Sequence, residues 1–185
     1  MDRAATNSIQ SHRGILGQLE AVLAAHFDPA VSLLAHAIVE GKKILICGNG
    51  GSASDASHFA AELVVRYFRD RRAYPAIALA SDLAIVTACG NDYGYNRIFA
   101  RQVEALGQAG DVLVALSTSG KSVNVLEAIA TAKRQGMATL GLSGANAMGC
   151  DVDIAVPSTI TARIQEMHIL CVHLFVESLE ARLPQ

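Results

Sequence analysis

Lys43-Ile44-Leu45-Ile46-Cys47-Gly48-Asn49-Gly50-Gly51-Ser52-Ala53-Ser54-Asp55-Ala56-Ser57-His58-Phe59-Ala60-Ala61-Glu62 reads as a strand, a glycine-rich turn and a helix. Residues 43–47 are short and apolar, as parallel strands covered on both faces are. Gly48, Gly50 and Gly51 let the chain turn tightly and bring backbone N–H groups close to a ligand. Ser52 or Ser54 is expected to cap a helix over 54–68. On that helix His58 and Glu62 are four residues apart, about 40° around the axis, and share one face. A glycine-lined helix N-terminus suits an anion. A His and a Glu one turn further in suit a metal or an acid/base pair. The implied ligand is a small phosphorylated molecule that is both held and chemically changed.

Working outward, strand and helix patterns alternate. Strands are expected at 43–47, 76–79, 112–116, 138–142 and 154–156. Helices are expected at 54–68, 83–88, 96–106, 123–134 and 163–179. This is an α/β pattern: a five-stranded parallel sheet between two helical layers, a three-layer αβα sandwich whose ligands bind at the carboxyl ends of the strands. Residues 7–40 precede it as helix, with Asp28-Pro29 read as a break or kink between two pieces. Residues 1–40 are expected to form an N-terminal helical segment used in oligomer packing, and 1–185 a single domain.

Composition narrows the function classes. The 185 residues, 51% of them apolar, suffice for one domain with its own core. Lys and Arg number 15 against 17 Asp and Glu, and no long basic stripe stands out, so direct nucleic-acid binding is not expected. No continuous apolar run reaches the roughly 18–20 residues that span a bilayer. Neither membrane association nor a leader is expected, and a cytoplasmic location follows. Cys47, Cys89, Cys150 and Cys171 form no CxxC pair and read as free thiols.

Further loops carry chemistry. Gly48-Asn49-Gly50-Gly51-Ser52-Ala53 fits the dinucleotide pattern G-x-G-x-x-A, but Asp82, the candidate ribose ligand, looks as much like a helix cap. Ser117-Thr118-Ser119-Gly120-Lys121-Ser122 joins a strand to a helix and offers hydroxyls and free N–H groups to a phosphate. Gly120-Lys121-Ser122 is not a nucleotide-triphosphate loop, because the required earlier glycine is Ala115. Asn91 and Asp92 suit either a turn or sugar hydroxyls. In the last helix Gln165 and His173 are about 12 Å apart along the axis, which two extended side chains can just bridge; His168 is the nearer competitor.

With these residues in place, the chain resembles the sugar isomerase (SIS) domain family, and within it the phosphoheptose isomerases. The likeness covers nearly the whole chain. It rests on Cys47-Gly48-Asn49-Gly50-Gly51-Ser52, His58-Phe59-Ala60-Ala61-Glu62, Gly90-Asn91-Asp92-Tyr93-Gly94, Ser117-Thr118-Ser119-Gly120-Lys121-Ser122 and Arg163-Ile164-Gln165-Glu166. The resemblance implies a flavodoxin- or Rossmann-like SIS fold and a homotetramer with sites near subunit interfaces. It implies one zinc per subunit, held by His58, Glu62, Gln165 and His173. Ser117, Thr118, Ser119 and Ser122 would hold phosphate, while Asn49, Gly50, Gly51, Ser52, Asn91 and Asp92 line the sugar. The implied reaction converts sedoheptulose 7-phosphate to D-glycero-D-manno-heptose 7-phosphate, supplying activated heptose for lipopolysaccharide or related surface glycans. Glu62 is the natural base and His173 the natural acid for proton transfer through an enediol. Ala162 departs from relatives that carry an acid there, and the 143–150 loop is shorter than in some. The family also includes a non-catalytic tetramer that binds the bacterial replication initiator. That protein lacks the Glu62 and His173 pair. A third reading is isomerisation of another phosphosugar.

Overall fold

The computed structural model describes residues 1–183. Helix α1 (Arg3–Val39) leads into β1 (Ile44–Gly48), α2 (Gly51–Val64), β2 (Ala76–Ala78) and α3 (Leu83–Asp92). A 3₁₀ turn (Tyr95–Arg97) precedes α4 (Ala100–Leu106), β3 (Val112–Ser117), α5 (Val123–Arg134), β4 (Ala138–Ser143), β5 (Val152–Ala155) and α6 (Thr161–Arg182). The five strands are all parallel, in the order β2-β1-β3-β4-β5. Strand alternation builds the three layers. Ile44, Ile46, Val112 and Val114 pack under α1, α2 and α6, while Leu45, Cys47, Leu113 and Ala115 pack under α3, α4 and α5.

Of the break or kink expected at Asp28-Pro29, the break does not occur: α1 is one helix of 37 residues with Pro29 inside it. Proline removes one helical hydrogen bond and costs about 3 kcal/mol. Ala30, Val31 and Leu34 are fully buried just beyond it, and each large apolar side chain contributes about 1.5–3 kcal/mol, so burial wins. Phe27 stacks on Phe175 at 5.7 Å and Asp28 pairs with Arg182 at 2.7 Å, fixing the helix on α6 immediately before the proline.

By length and composition α1 is long and apolar enough to cross a bilayer. Scattered polar residues such as His26, Asp28, Ser32 and His36 divide it, so no continuous apolar run reaches that length. Its buried side packs on α6 and the sheet.

Helix boundaries shift as well, α2 ending at Val64 rather than 68 and α4 starting at Ala100 rather than 96. Helix α2 begins at Gly51, three residues early, and α3 runs on through Asn91 and Asp92. The expected serine cap does not form. Gly50 is the N-cap at φ +55°, a conformation serine rarely adopts, and Ser52 and Ser54 fall inside the first turn. Cys47, Cys89 and Cys171 are buried free thiols and Cys150 is half-buried. Burial pushes the Cys171 thiol up to about 12, so it is an apolar filler rather than a nucleophile.

Candidate active site

The order β2-β1-β3-β4-β5 reverses direction between β1 and β3, and open parallel sheets bind ligands at such a crevice, outside the carboxyl ends of the strands. Gly48 pairs with Leu116 there, so the glycine loop after β1 and the hydroxyl loop after β3 emerge side by side. They are tied together. Asn49 and Asn124 exchange side-chain bonds of 2.9 and 2.8 Å, and the Tyr95 hydroxyl donates to Asn49 Oδ1 at 2.9 Å.

The hydroxyl loop is internally ordered. Ser117 Oγ lies 2.9 Å from Ser122 Oγ and 3.4 Å from Ser119 Oγ, and the Lys121 N–H donates to Ser119 Oγ at 3.1 Å. Asn146 Nδ2 donates to the Ser119 carbonyl at 3.1 Å, so the loop after β4 supports it from behind. Thr118 is half-buried within the same turn.

His58, Glu62 and His173 converge from α2 and α6, their nitrogen and oxygen atoms all within 4.8 Å of one another. His58 Nε2 is 3.0 Å from His173 Nε2 and 3.2 Å from Glu62 Oε1. Two ring nitrogens facing each other this closely need a proton or a cation between them. The edge of a tetrahedron around a metal with bonds of about 2.0–2.1 Å is about 3.3–3.4 Å. Two imidazoles and a carboxylate at this spacing therefore fit a metal with little movement. Asp55, one turn earlier on α2, has Oδ2 buried without a partner. Burial raises its carboxyl above the ordinary value, and His58 draws it partly back.

Gln165 reaches the glycine loop. A Cβ built on Gly51 would lie 2.8 Å from Gln165 Cδ, closer than side chains approach, so only glycine leaves room for this amide. Ser52 is buried against that turn. Asn91 and Asp92 are not drawn onto these loops: Asn91 Nδ2 donates to Asp92 Oδ1 at 2.8 Å, and both are exposed. His168 does not compete for the metal position. Its ring is fully buried and bonds the Ser143 carbonyl through Nε2 at 3.1 Å.

Comparison with known proteins places these features. A family model described as SIS domain matches residues 9–144. The chain is 50% identical over 177 residues to the phosphoheptose isomerase of Campylobacter concisus, covering 94% of this chain and 89% of that one. It is 47% identical to the phosphoheptose isomerase of Geobacter sulfurreducens, covering 96% of both. The chain belongs to the SIS domain family, in its phosphoheptose isomerase branch. The solved structure of phosphoheptose isomerase GmhA from Neisseria gonorrhoeae superimposes with a TM-score of 0.90 at 39% identity, over 96% of this chain and 97% of that one.

Within this SIS domain, Asp55, Asn124 and Tyr95 join the site without having been singled out in the sequence. Asn124 carried a faint signal: an amide between Val123 and Val125 that is 2% exposed. His168 has a thermodynamic consequence. Burial pushes its pKa down from 6.5 to about 4, outweighing the Ser143 bond. Between those pH values the unfolded chain takes up a proton that the folded one refuses, so stability falls as pH drops through the window and is level above it. The whole shift corresponds to roughly 3 kcal/mol. Urea unfolding at fixed protein concentration, at pH 7.5, 5.5 and 4.5, is expected to show this slope. His168→Gln should flatten it while lowering stability at pH 7.5. An equal slope in the variant would assign the acid sensitivity elsewhere.

Proposed function

We propose that this chain is a phosphosugar isomerase that interconverts D-sedoheptulose 7-phosphate and D-glycero-D-manno-heptose 7-phosphate. The observation that carries the reading is the convergence of His58, Glu62 and His173 in a chain 50% identical to a phosphoheptose isomerase. The 117–122 loop receives the phosphate through Ser117, Thr118, Ser119 and Ser122 and through the N–H groups at the start of α5. Asn49, Gly50, Gly51 and Ser52 line the sugar, with Asn91 and Asp92 at the outer edge.

Aldose–ketose exchange moves one proton between C1 and C2 and another between their oxygens. Glu62 takes the carbon-bound proton and returns it to the neighbouring carbon. His173 gives and takes the oxygen-bound proton through Nδ1, the ring nitrogen that does not face His58, so the steps balance with no net proton change. His58, Glu62, Gln165 and His173 would hold zinc, which when bound polarises the carbonyl and stabilises enediolate charge. Glu62 turns Oε1 towards His58, which leaves Oε2 for the proton. A carboxylate is thus able to serve both roles at once.

The same reading places the protein in the cytoplasm, at the start of activated-heptose supply for surface glycans. It also makes the protein a homotetramer of single SIS domains. Helix α1, about 55 Å long at 1.5 Å per residue, outreaches the body of a domain this size and leaves apolar residues of its first half exposed, which favours packing against other subunits. The test is turnover of sedoheptulose 7-phosphate followed by NMR, before and after chelation, with metal counted and mass taken by light scattering. Product that falls on chelation and returns with zinc supports the reading. No product with any metal defeats it and directs attention to binding of the replication initiator.

A further inference from the structure

Glu180 lies about two turns of α6 beyond His173 and takes no part in the chemistry above. Its carboxylate, 3% exposed, accepts three successive backbone N–H groups: Tyr67 at 2.9 Å on Oε1, and Phe68 and Arg69 at 3.0 Å each on Oε2. Arg71 Nε completes the set at 3.2 Å, its own side chain 2% exposed. Burial opposes ionisation of Glu180, but the amides and Arg71 prevail and hold it below the usual carboxylate range. Arg71 reaches further. Its Nη2 donates to the Glu62 carbonyl at 2.7 Å and its Nη1 to the Leu63 carbonyl at 2.9 Å.

Residues 66–70 follow the end of α2 outside any helix or strand. The buried Glu180 carboxylate satisfies the N–H groups of Tyr67, Phe68 and Arg69, and it thereby fixes where the Tyr67 ring lies. That ring stacks on the His173 imidazole with centroids 5.6 Å apart and planes 25° apart. The edge of His58 meets the same imidazole at 5.2 Å and 60°. We propose that Tyr67 is a positioning residue for His173, held against its ring by Glu180 and Arg71. The stack restricts rotation of the imidazole, so Nε2 stays aimed at His58 and Glu62. The inference rests on the isomerase reading for its effect on turnover, but not for the contact itself.

Tyr67→Ala is expected to lower kcat by about 10-fold or more, with KM for the phosphosugar within about twofold, because orientation is lost and the phosphate loop is untouched. Tyr67→Phe, which keeps the ring, should restore kcat. In protein with 13C-labelled histidine, the His173 ring-proton resonances, assigned with His173→Asn, should move in Tyr67→Ala and stay in place in Tyr67→Phe. Glu180→Gln should shift kcat the same way as Tyr67→Ala. It risks unfolding by stranding Arg71, so the Tyr67 pair carries the decision. Three results would each overturn the proposal: kcat of Tyr67→Ala within twofold of wild type, unmoved His173 resonances, or a Phe variant as slow as the Ala variant. If the wild-type protein turns over no phosphosugar, the isomerase reading fails, while the resonances still decide whether Tyr67 holds His173.

Discussion

Glu62→Gln is expected to lower turnover by at least about 10²-fold while the fold and the phosphosugar KM hold. The substitution preserves size and the hydrogen-bonding reach of a side chain that is 19% exposed. What it removes is the ability to accept a proton, together with most of the affinity for a cation. Those two losses are separable. If Glu62 served only as a metal ligand, raising zinc until the variant is loaded would restore turnover. If it is the base, the loaded variant stays slow. His173→Asn should fall by a similar factor, and the double variant should be little worse than the slower single one, because groups acting in one proton-transfer cycle are not additive. Circular dichroism and melting temperature check the fold, and metal analysis checks loading. Near-normal kcat in either loaded single variant would remove that residue from the chemistry.

Much of the architecture was legible because it depends on local pattern. The apolar runs around Ile44, Val112 and Leu140 have the length of buried parallel strands, and the 123–134 helix was bounded to the residue. The errors lie where tertiary packing overrides a local signal. Pro29 reads as a break, yet α6 supplies Phe175 and Arg182 to carry the helix through it. Ser52 and Ser54 read as caps, yet the close approach of Gln165 to Gly51 goes with a helix that starts earlier.

The candidate site divides in the same way. His58 and Glu62 share a face by spacing alone, and the 117–122 hydroxyls cluster in sequence. His173 was tied to them by resemblance, since 115 positions separate it from His58. Glu180 could not have been read from the chain at all. A glutamate near the end of an amphipathic helix has every mark of a solvated charge, and the N–H groups it accepts are more than 100 residues away. Cations near a helix C-terminus, such as those between Arg66 and Arg72, are favoured by the helix dipole alone. Arg71 does cap the carbonyls of Glu62 and Leu63, but its ion pair with buried Glu180 is visible only in the folded chain.

Gly51→Ala is expected to cost about 10²-fold in turnover without destabilising the protein, and this dissociation makes it informative. Gly51 is the first residue of α2 and is absent from the positive-φ glycines, so alanine fits its backbone. Alanine there stiffens the unfolded chain and is worth about 0.4–1 kcal/mol where the native conformation suits it. The added methyl meets the amide of Gln165, the far end of a flexible side chain that can swing away. The fold is therefore kept while the glutamine is displaced. If Gln165 holds metal or substrate, Gly51→Ala should reproduce the loss seen in Gln165→Ala, including weaker metal retention on dialysis. The double variant should be no slower than Gln165→Ala alone, since both changes remove one contact. Wild-type turnover in Gly51→Ala with a slow Gln165→Ala would mean that the amide keeps its role from a different position. Wild-type turnover in both would take Gln165 out of the site.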